Sequence, residues 1–186
     1  MKRIVILASG SGTLAQAIFD AQLDAEIVAV ISDQKDATVL ERAHTARIET
    51  FTIPMLPDRT EWDRELETLI AALKPDLVVS AGFMRILSER ITSKFKIINS
   101  HPALLPLFPG AHAVRDALAA GATETGTTIH WVDAGVDTGQ VIAQERVEIL
   151  AGDTQESLHE RIKIVERGLI VATIAELLPT LEKTNG

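Results

Sequence analysis

Asn99 and His101 stand two residues apart in Phe95-Lys96-Ile97-Ile98-Asn99-Ser100-His101-Pro102, where an apolar run ends. In an extended segment, residues i and i+2 project to the same side, so one amide and one imidazole can face a single substrate atom. An amide N–H and a protonated imidazole are the donors that a developing oxyanion needs, so the pair suits acyl transfer. Pro102, Pro106 and Pro109 follow, with Gly110 after them. Their fixed φ angles lower the entropy lost when the loop is ordered, and this stiffens the root from which both side chains project. Taken singly, an Asn at a strand end is a turn residue and His-Pro is a loop. Together, at the root of a stiff loop, they point to chemistry.

A second chemical signal is Ala8-Ser9-Gly10-Ser11-Gly12-Thr13, between an apolar strand and a helical pattern. Glycines there permit a tight turn and bring backbone N–H groups to an anion at the helix N-terminus. Gly10, Ser11, Gly12 and Thr13 are therefore the candidate phosphate site. The same loop reads as Gly10-x-Gly12-x-x-Ala15 with Asp33 downstream, the weak fingerprint of a nicotinamide-dependent oxidoreductase. The chain is short for a dinucleotide domain plus a substrate domain. A non-catalytic nucleotide-binding module is another reading. A serine hydrolase is disfavoured, since neither Ser9 nor Ser11 lies in Gly-x-Ser-x-Gly. His101, His130 and Asp137 can in principle hold zinc, but no His-Glu-x-x-His segment supports a site, and no metal is expected. Asp133 and Asp137 occupy a loop where Asp commonly bonds its own backbone, and that reading is kept for Asp133.

The elements that must position these residues alternate between short Val- and Ile-rich runs and longer helical patterns. Strands are expected at 3–8, 26–32, 48–53, 76–80, 95–99, 127–132 and 140–148, and helices at 13–22, 37–46, 58–73, 111–120 and roughly 154–181. The last helix should begin at a capping signal, Asp153-Thr154, and bury Leu158, Ile162, Val165, Leu169 and Ala172. This order predicts an α/β, Rossmann-like single domain over 1–186, with a mostly parallel sheet of about seven strands and helices on both faces. Ligands of such sheets bind beyond the carboxyl ends of the strands, which selects loops 9–13, 81–86 and 99–110.

Composition narrows the class further. The chain has 186 residues, 46% of them hydrophobic, enough for one substantial core. A net charge of −8 without a basic stripe disfavours nucleic acid. No apolar run is long enough for a membrane span or signal peptide, and there is no cysteine for a disulfide or a thiolate site. A soluble, cytoplasmic protein is the expectation.

Asn99-x-His101-Pro102-x-Leu104-Leu105-Pro106-x-Phe108-x-Gly110 resembles the signature of the 10-formyltetrahydrofolate-dependent formyltransferases. Further matching stretches are Ala8 to Gly12, Ala81 to Leu87, Gly126 to His130, and Asp137-x-Gly139-x-Val141-Ile142. Length and N-terminal start are similar to the branch acting on glycinamide ribonucleotide in purine synthesis, and leave no room for the extra domains of related formyltransferases and deformylases. The resemblance implies two small-molecule substrates, 10-formyltetrahydrofolate as cosubstrate and glycinamide ribonucleotide as acceptor, and allows a homodimer. It implies a nucleotide-binding part over about 1–99 and a folate-binding, catalytic part over about 80–186. It makes Asn99, His101 and Asp137 catalytic, with Asp137 holding His101 protonated and orienting a proton-shuttling water. It places folate against Met84, Arg85, Ile86, Leu87, Asn99 and Val136, and the ribose end of the acceptor against Glu166. In plain terms Arg85 is a surface cation, Phe83 and Met84 can be core, and Glu166 can be solvated. His130 is either an outer residue of the acyl site or a strand histidine. Two departures stand out: Leu14, where the family carries Asn after the loop hydroxyl, and Leu107, where a basic residue is common.

Overall fold

The computed structural model describes residues 1–182, so the last four residues of the expected 1–186 domain lie outside the described ones. Seven strands form one sheet: β1 (Lys2–Leu7), β2 (Ala25–Ser32), β3 (Thr50–Thr52), β4 (Leu77–Ser80), β5 (Ile97–His101), β6 (Glu124–Trp131) and β7 (Val141–Glu148). Their order is β3-β2-β1-β4-β5-β6-β7. Strands β1 to β5 pair in parallel, and β6 and β7 are antiparallel to their neighbours. The expected mostly parallel, seven-stranded Rossmann-like sheet is thus present.

Why helices cover both faces is visible in β1. Ile4 and Ile6 project to one side, where they meet Ile18 of α1 (Thr13–Asp20), Val39 of α2 (Thr38–Thr45) and Ile170 and Ile174 of α6 (Gln155–Leu177). Val5 and Leu7 project to the other, against Trp62, Leu66 and Ile70 of α3 (Arg59–Leu73) and Ile91 of α4 (Glu89–Thr92). All four β1 side chains are fully buried, as a strand sandwiched between helices requires. Helix α5 (Ala113–Ala119) adds a third, smaller cluster through Val114, with Val147, Leu158 and Ile162.

Several expectations shift. Helix α4 was not anticipated, because a single turn carries no periodicity. The turn buries Ile91 in the core, and Glu67, buried on α3, accepts from Arg90 within it and Lys94 just beyond it. Strand β6 begins three residues early, since Glu124 to Gly126 pair with Glu148 to Arg146 of β7. Along α6 the buried stripe runs Leu158, Ile162, Ile170, Thr173 and Ile174, while Ala172 is exposed. Val165 and Leu169 of the expected stripe are partly buried against the core clusters, and the i,i+4 steps from Ile162 to Ile170 pass through Glu166. Helix α6 is capped by a reciprocal pair, Thr154 and Ser157, and yields to a 3-10 turn at Leu178–Thr180.

The sheet reverses its winding between β1 and β4, so the loops leaving their carboxyl ends diverge and open a crevice. Register aligns that crevice with the chemistry. Leu7 pairs with Ser80, Ser80 with Asn99, and Asn99 with His130 across the antiparallel step. The loops 8–12, 81–88 and 102–112 therefore all leave the sheet within two residues of one row.

The last of these loops is anchored by one hydroxyl. Thr128 Oγ1 accepts from Leu105 N at 3.1 Å and Gln144 Nε2 at 2.9 Å, and donates to Ala103 O at 2.6 Å. Thr128 is fully buried. Valine has the same shape without the hydroxyl and would strand the Leu105 N–H and the Ala103 carbonyl. Thr128→Val is expected to lower stability by about 1–3 kcal/mol in urea unfolding. Thr128→Ser should recover most of that loss.

Candidate active site

Strand β5 carries Asn99 and His101 to the edge of the crevice, and β6 returns His130 beside Asn99. Asn99 Nδ2 lies 3.3 Å from His130 Nε2, and His130 Nδ1 lies 2.8 Å from the Trp131 carbonyl. With Nδ1 donating to that carbonyl, the neutral ring keeps a lone pair on Nε2, which accepts one amide hydrogen of Asn99 and leaves the other for a ligand. Protonation turns the same nitrogen into a donor toward Asp137 Oδ1, 3.5 Å away. His130 thus sits inside the cluster, between Asn99 and Asp137.

Asp137 Oδ2 lies 3.4 Å from His101 Nδ1 and accepts from Gly110 N at 2.8 Å. One carboxylate therefore joins the 133–139 loop, the end of the proline loop and both histidines. Burial acts to raise the Asp137 pKa, but hydrogen bonds from His130 and Gly110 and the histidine charges outweigh it, and the group is held below its ordinary value. Asp137 adopts φ 54, a left-handed conformation that Asp tolerates better than most residues. Asp133 plays the turn role expected of it, accepting from Gly135 N and Thr138 Oγ1.

His101 is 4% exposed, and its Nε2 lies 2.8 Å from the Phe108 carbonyl. Both ring nitrogens therefore face protein oxygens. Phe108 itself has φ 51, an unusual conformation for a bulky residue, so the backbone is strained at the carbonyl that engages His101. Nothing in the sequence marked Phe108 for this role.

On the same edge, the glycine loop is shaped by α2. Val39 N donates to Gly10 O at 3.1 Å and Arg42 Nε to Ser11 O at 2.8 Å. Because C=O and N–H of one peptide unit point opposite ways, the N–H groups of Ser11 and Gly12 are turned away from α2. Gly12, at φ 74, caps α1, and a Cβ there would lie 2.5 Å from Val39 Cβ. A cleft of about 310 Å³ adjoins this loop, lined by Thr13, Gln16, Ala17, Asp20, Arg42 and Arg167. Arg167 Nε is buried there with no hydrogen-bond partner. Neither arginine had been singled out in the sequence; both come from helices remote in the chain.

The residues expected around folate divide. Met84, Ile86 and Val136 are exposed at 71%, 58% and 46%, an apolar rim with no cover. Leu87 and Phe83 are core, Phe83 stacking on Trp62 at 6.3 Å. Arg85 donates from Nε to Asp33 Oδ2 at 2.7 Å. Asp33, 4% exposed, also accepts from Ser9 and Gln34, so both its oxygens are engaged by the protein rather than offered to a ribose. The departures fall in different places: Leu14 is buried in the core, and Leu107 is 58% exposed on the proline loop. Among the described residues, no group of three His, Cys, Asp or Glu side chains has an arrangement able to hold a metal ion. None of the described helices is long and apolar enough to cross a membrane.

Glu166 accepts from Ser100 Oγ at 2.5 Å, bringing α6 against β5 between Asn99 and His101. Burial pushes its carboxyl above the ordinary value, against the lowering effects of Ser100, Lys163 and Arg167. A raised carboxyl pKa means that the folded chain binds the proton more tightly than the unfolded one. Its stabilising contribution is therefore complete below the unfolded pKa and is lost as pH rises through the folded value. Glu166→Gln removes that ionisation, so the variant should melt above the parent at pH 7.5, with the gap closing near pH 4. Each kcal/mol corresponds to roughly 2–4 °C in a chain of this size. Equal melting temperatures at both pH values would refute a burial cost at Glu166.

A model of the formyl transferase family matches residues 2–174. The phosphoribosylglycinamide formyltransferase of Mycobacterium tuberculosis strain H37Rv is 49% identical over 182 residues, spanning 94% of this chain and 84% of its own. The Escherichia coli K12 protein of the same name is 41% identical over 180 residues, covering 92% and 85%. Among solved structures, glycinamide ribonucleotide transformylase 1 from Symbiobacterium toebii has a TM-score of 0.91 at 41% identity, covering 94% of this chain and 86% of that one. Its seven-stranded sheet, the loops gathered at one sheet edge and these relatives together establish that the chain belongs to the formyl transferase family.

Proposed function

We propose that this chain transfers the formyl group of 10-formyltetrahydrofolate to the amine of glycinamide ribonucleotide, a step of purine nucleotide synthesis. The observation that carries the reading is the cluster of Asn99, His130, Asp137 and His101, linked at 3.3–3.5 Å on the sheet edge that also bears the glycine loop. The names of the relatives at 41–49% identity support the acceptor and the reaction.

The nucleotide phosphate lies on the turned N–H groups of the glycine loop, with Ser11 and Thr13 hydroxyls beside it. Arg42 and Arg167 supply positive charge from the flank, where Leu14 supplies no polar group. Glu166 and Ser100 meet the ribose end. The pterin covers Met84, Ile86 and Val136, apolar side chains otherwise left in water, and pairs with the backbone of 84–87 and 133–137. This orientation puts the acceptor amine and the formyl carbon in front of Asn99.

The amine lone pair attacks the formyl carbon and the carbonyl electrons move to oxygen. Asn99 donates its second amide hydrogen to that oxygen, and His101 Nε2 exchanges the Phe108 carbonyl for it. Asp137, held ionised, stabilises the imidazolium and orients a water. That water takes the proton from the ammonium and delivers it to N10 of folate as the C–N10 bond breaks. Formyl glycinamide ribonucleotide and tetrahydrofolate leave, and no covalent enzyme intermediate forms.

The test is formyl transfer between these two substrates, followed by the folate absorbance change. The parent is expected to turn over, and Asn99→Ala to lose about 10²–10³ in kcat while remaining folded. Near-normal turnover by that variant would remove Asn99 from the reaction. Transfer to a different amine only would overturn the acceptor and leave the chemistry standing.

A further inference from the structure

Asp33 stands at the carboxyl end of β2 and belongs to neither proposed substrate site, yet it ties them together. Its Oδ1 accepts from Ser9 Oγ at 2.6 Å, and its Oδ2 from Arg85 Nε at 2.7 Å and Gln34 Nε2 at 2.9 Å. Ser9 Oγ in turn accepts from Met84 N at 2.9 Å, and Ser9 N donates to Gly82 O at 3.1 Å. The Asp33 side chain is 1% exposed and that of Arg85 33%. Ser9 opens the glycine loop; Met84 and Arg85 form the loop given to the pterin. The two loops are thus braced through one buried carboxylate.

We propose that Asp33 is a positioning residue coupling the phosphate loop to the folate loop, so that filling either site orders the other. The proposal rests on the assignment of those loops to glycinamide ribonucleotide and folate. The physical reason is that a buried carboxylate is tolerated only while its donors stay in place. Ser9 cannot shift with the phosphate loop without disturbing either the bond to Asp33 or the bond from Met84. Arg85 cannot leave to chase a ligand anion without exposing the same charge. Each loop therefore samples positions set by the other, and a ligand that fixes one reduces the ordering left for the second. Arg85 acts here as a strut, and the exposed backbone and apolar side chains of 84 and 86 are left to meet the pterin.

The experiment measures binding of the product tetrahydrofolate to the full chain by calorimetry, with and without saturating glycinamide ribonucleotide. The parent should bind tetrahydrofolate more tightly when the nucleotide is present, by a factor within the roughly 5–150-fold range usual for coupled sites. In Asp33→Ala that factor should fall close to 1. In steady state the folate KM should rise about tenfold with kcat changed less than threefold, a split that simple loss of folded enzyme does not produce. Asp33→Asn, which keeps an acceptor for Ser9, should recover part of the coupling. If Asp33→Ala does not fold, Ser9→Ala must show the same loss of coupling. A folded Asp33→Ala or Ser9→Ala with parental coupling and KM overturns the proposal, as does a parent with no coupling. A parent with no formyl transfer and no binding of either ligand overturns the functional reading beneath it, a result distinct from an active parent whose variants behave normally.

Discussion

The register across the middle of the sheet is the constraint on which the site depends. Leu7, Ser80, Asn99 and His130 lie in one row because parallel β1, β4 and β5 are in step and antiparallel β6 meets β5 with Asn99 opposite His130. Side-chain direction has a period of two, so a one-residue slip of β6 would send His130 to the other face. Asn99 would lose its acceptor and Asp137 one of its two imidazoles. The register is held by what surrounds it. Ile98 and Ile129 are fully buried, and Thr128 locks the proline loop onto β6 through two hydrogen bonds, from Leu105 N and to Ala103 O.

Around that row the chain holds charge in places that water would otherwise stabilise. Asp137 stays ionised because a backbone N–H and two histidines surround it. Asp33 stays ionised through Ser9, Gln34 and Arg85. Glu166 is different: Ser100 does not offset its burial, and the stripe Ile162, Glu166, Ile170 places it toward the sheet at a position where an apolar residue would be more stable. The strained backbone at Phe108 and Asp137 lies within the same group of residues, on the two loops that meet at Gly110.

Much of this was legible from residue order. Strand β1, helix α3 and the stiff loop after His101 announce themselves because apolar periodicity and prolines are local signals. Asn99 and His101 were legible for the same reason, since alternation along one strand depends on neighbours in the chain. Helix α4 escaped because it is one turn held by Arg90 and Lys94 on Glu67, a contact spanning more than twenty residues. The expected face of α6 fails at Ala172, which is exposed, because the step that faces the core over 23 residues is fixed only by the surface it packs on.

What the sequence determined by itself is the α/β class, the glycine loop, and the placement of Asn99 and His101 on β5, because each follows from short-range sterics and periodicity. Only the tertiary structure decided that His130 lies against Asn99, that Phe108 engages His101, that Arg42 and Arg167 flank the glycine loop, and that Arg85 is bound to Asp33. The hydrogen bonds among them join residues 7 to 52 positions apart in the chain. Their partners are chosen by strand order, register and helix packing, which no local pattern encodes.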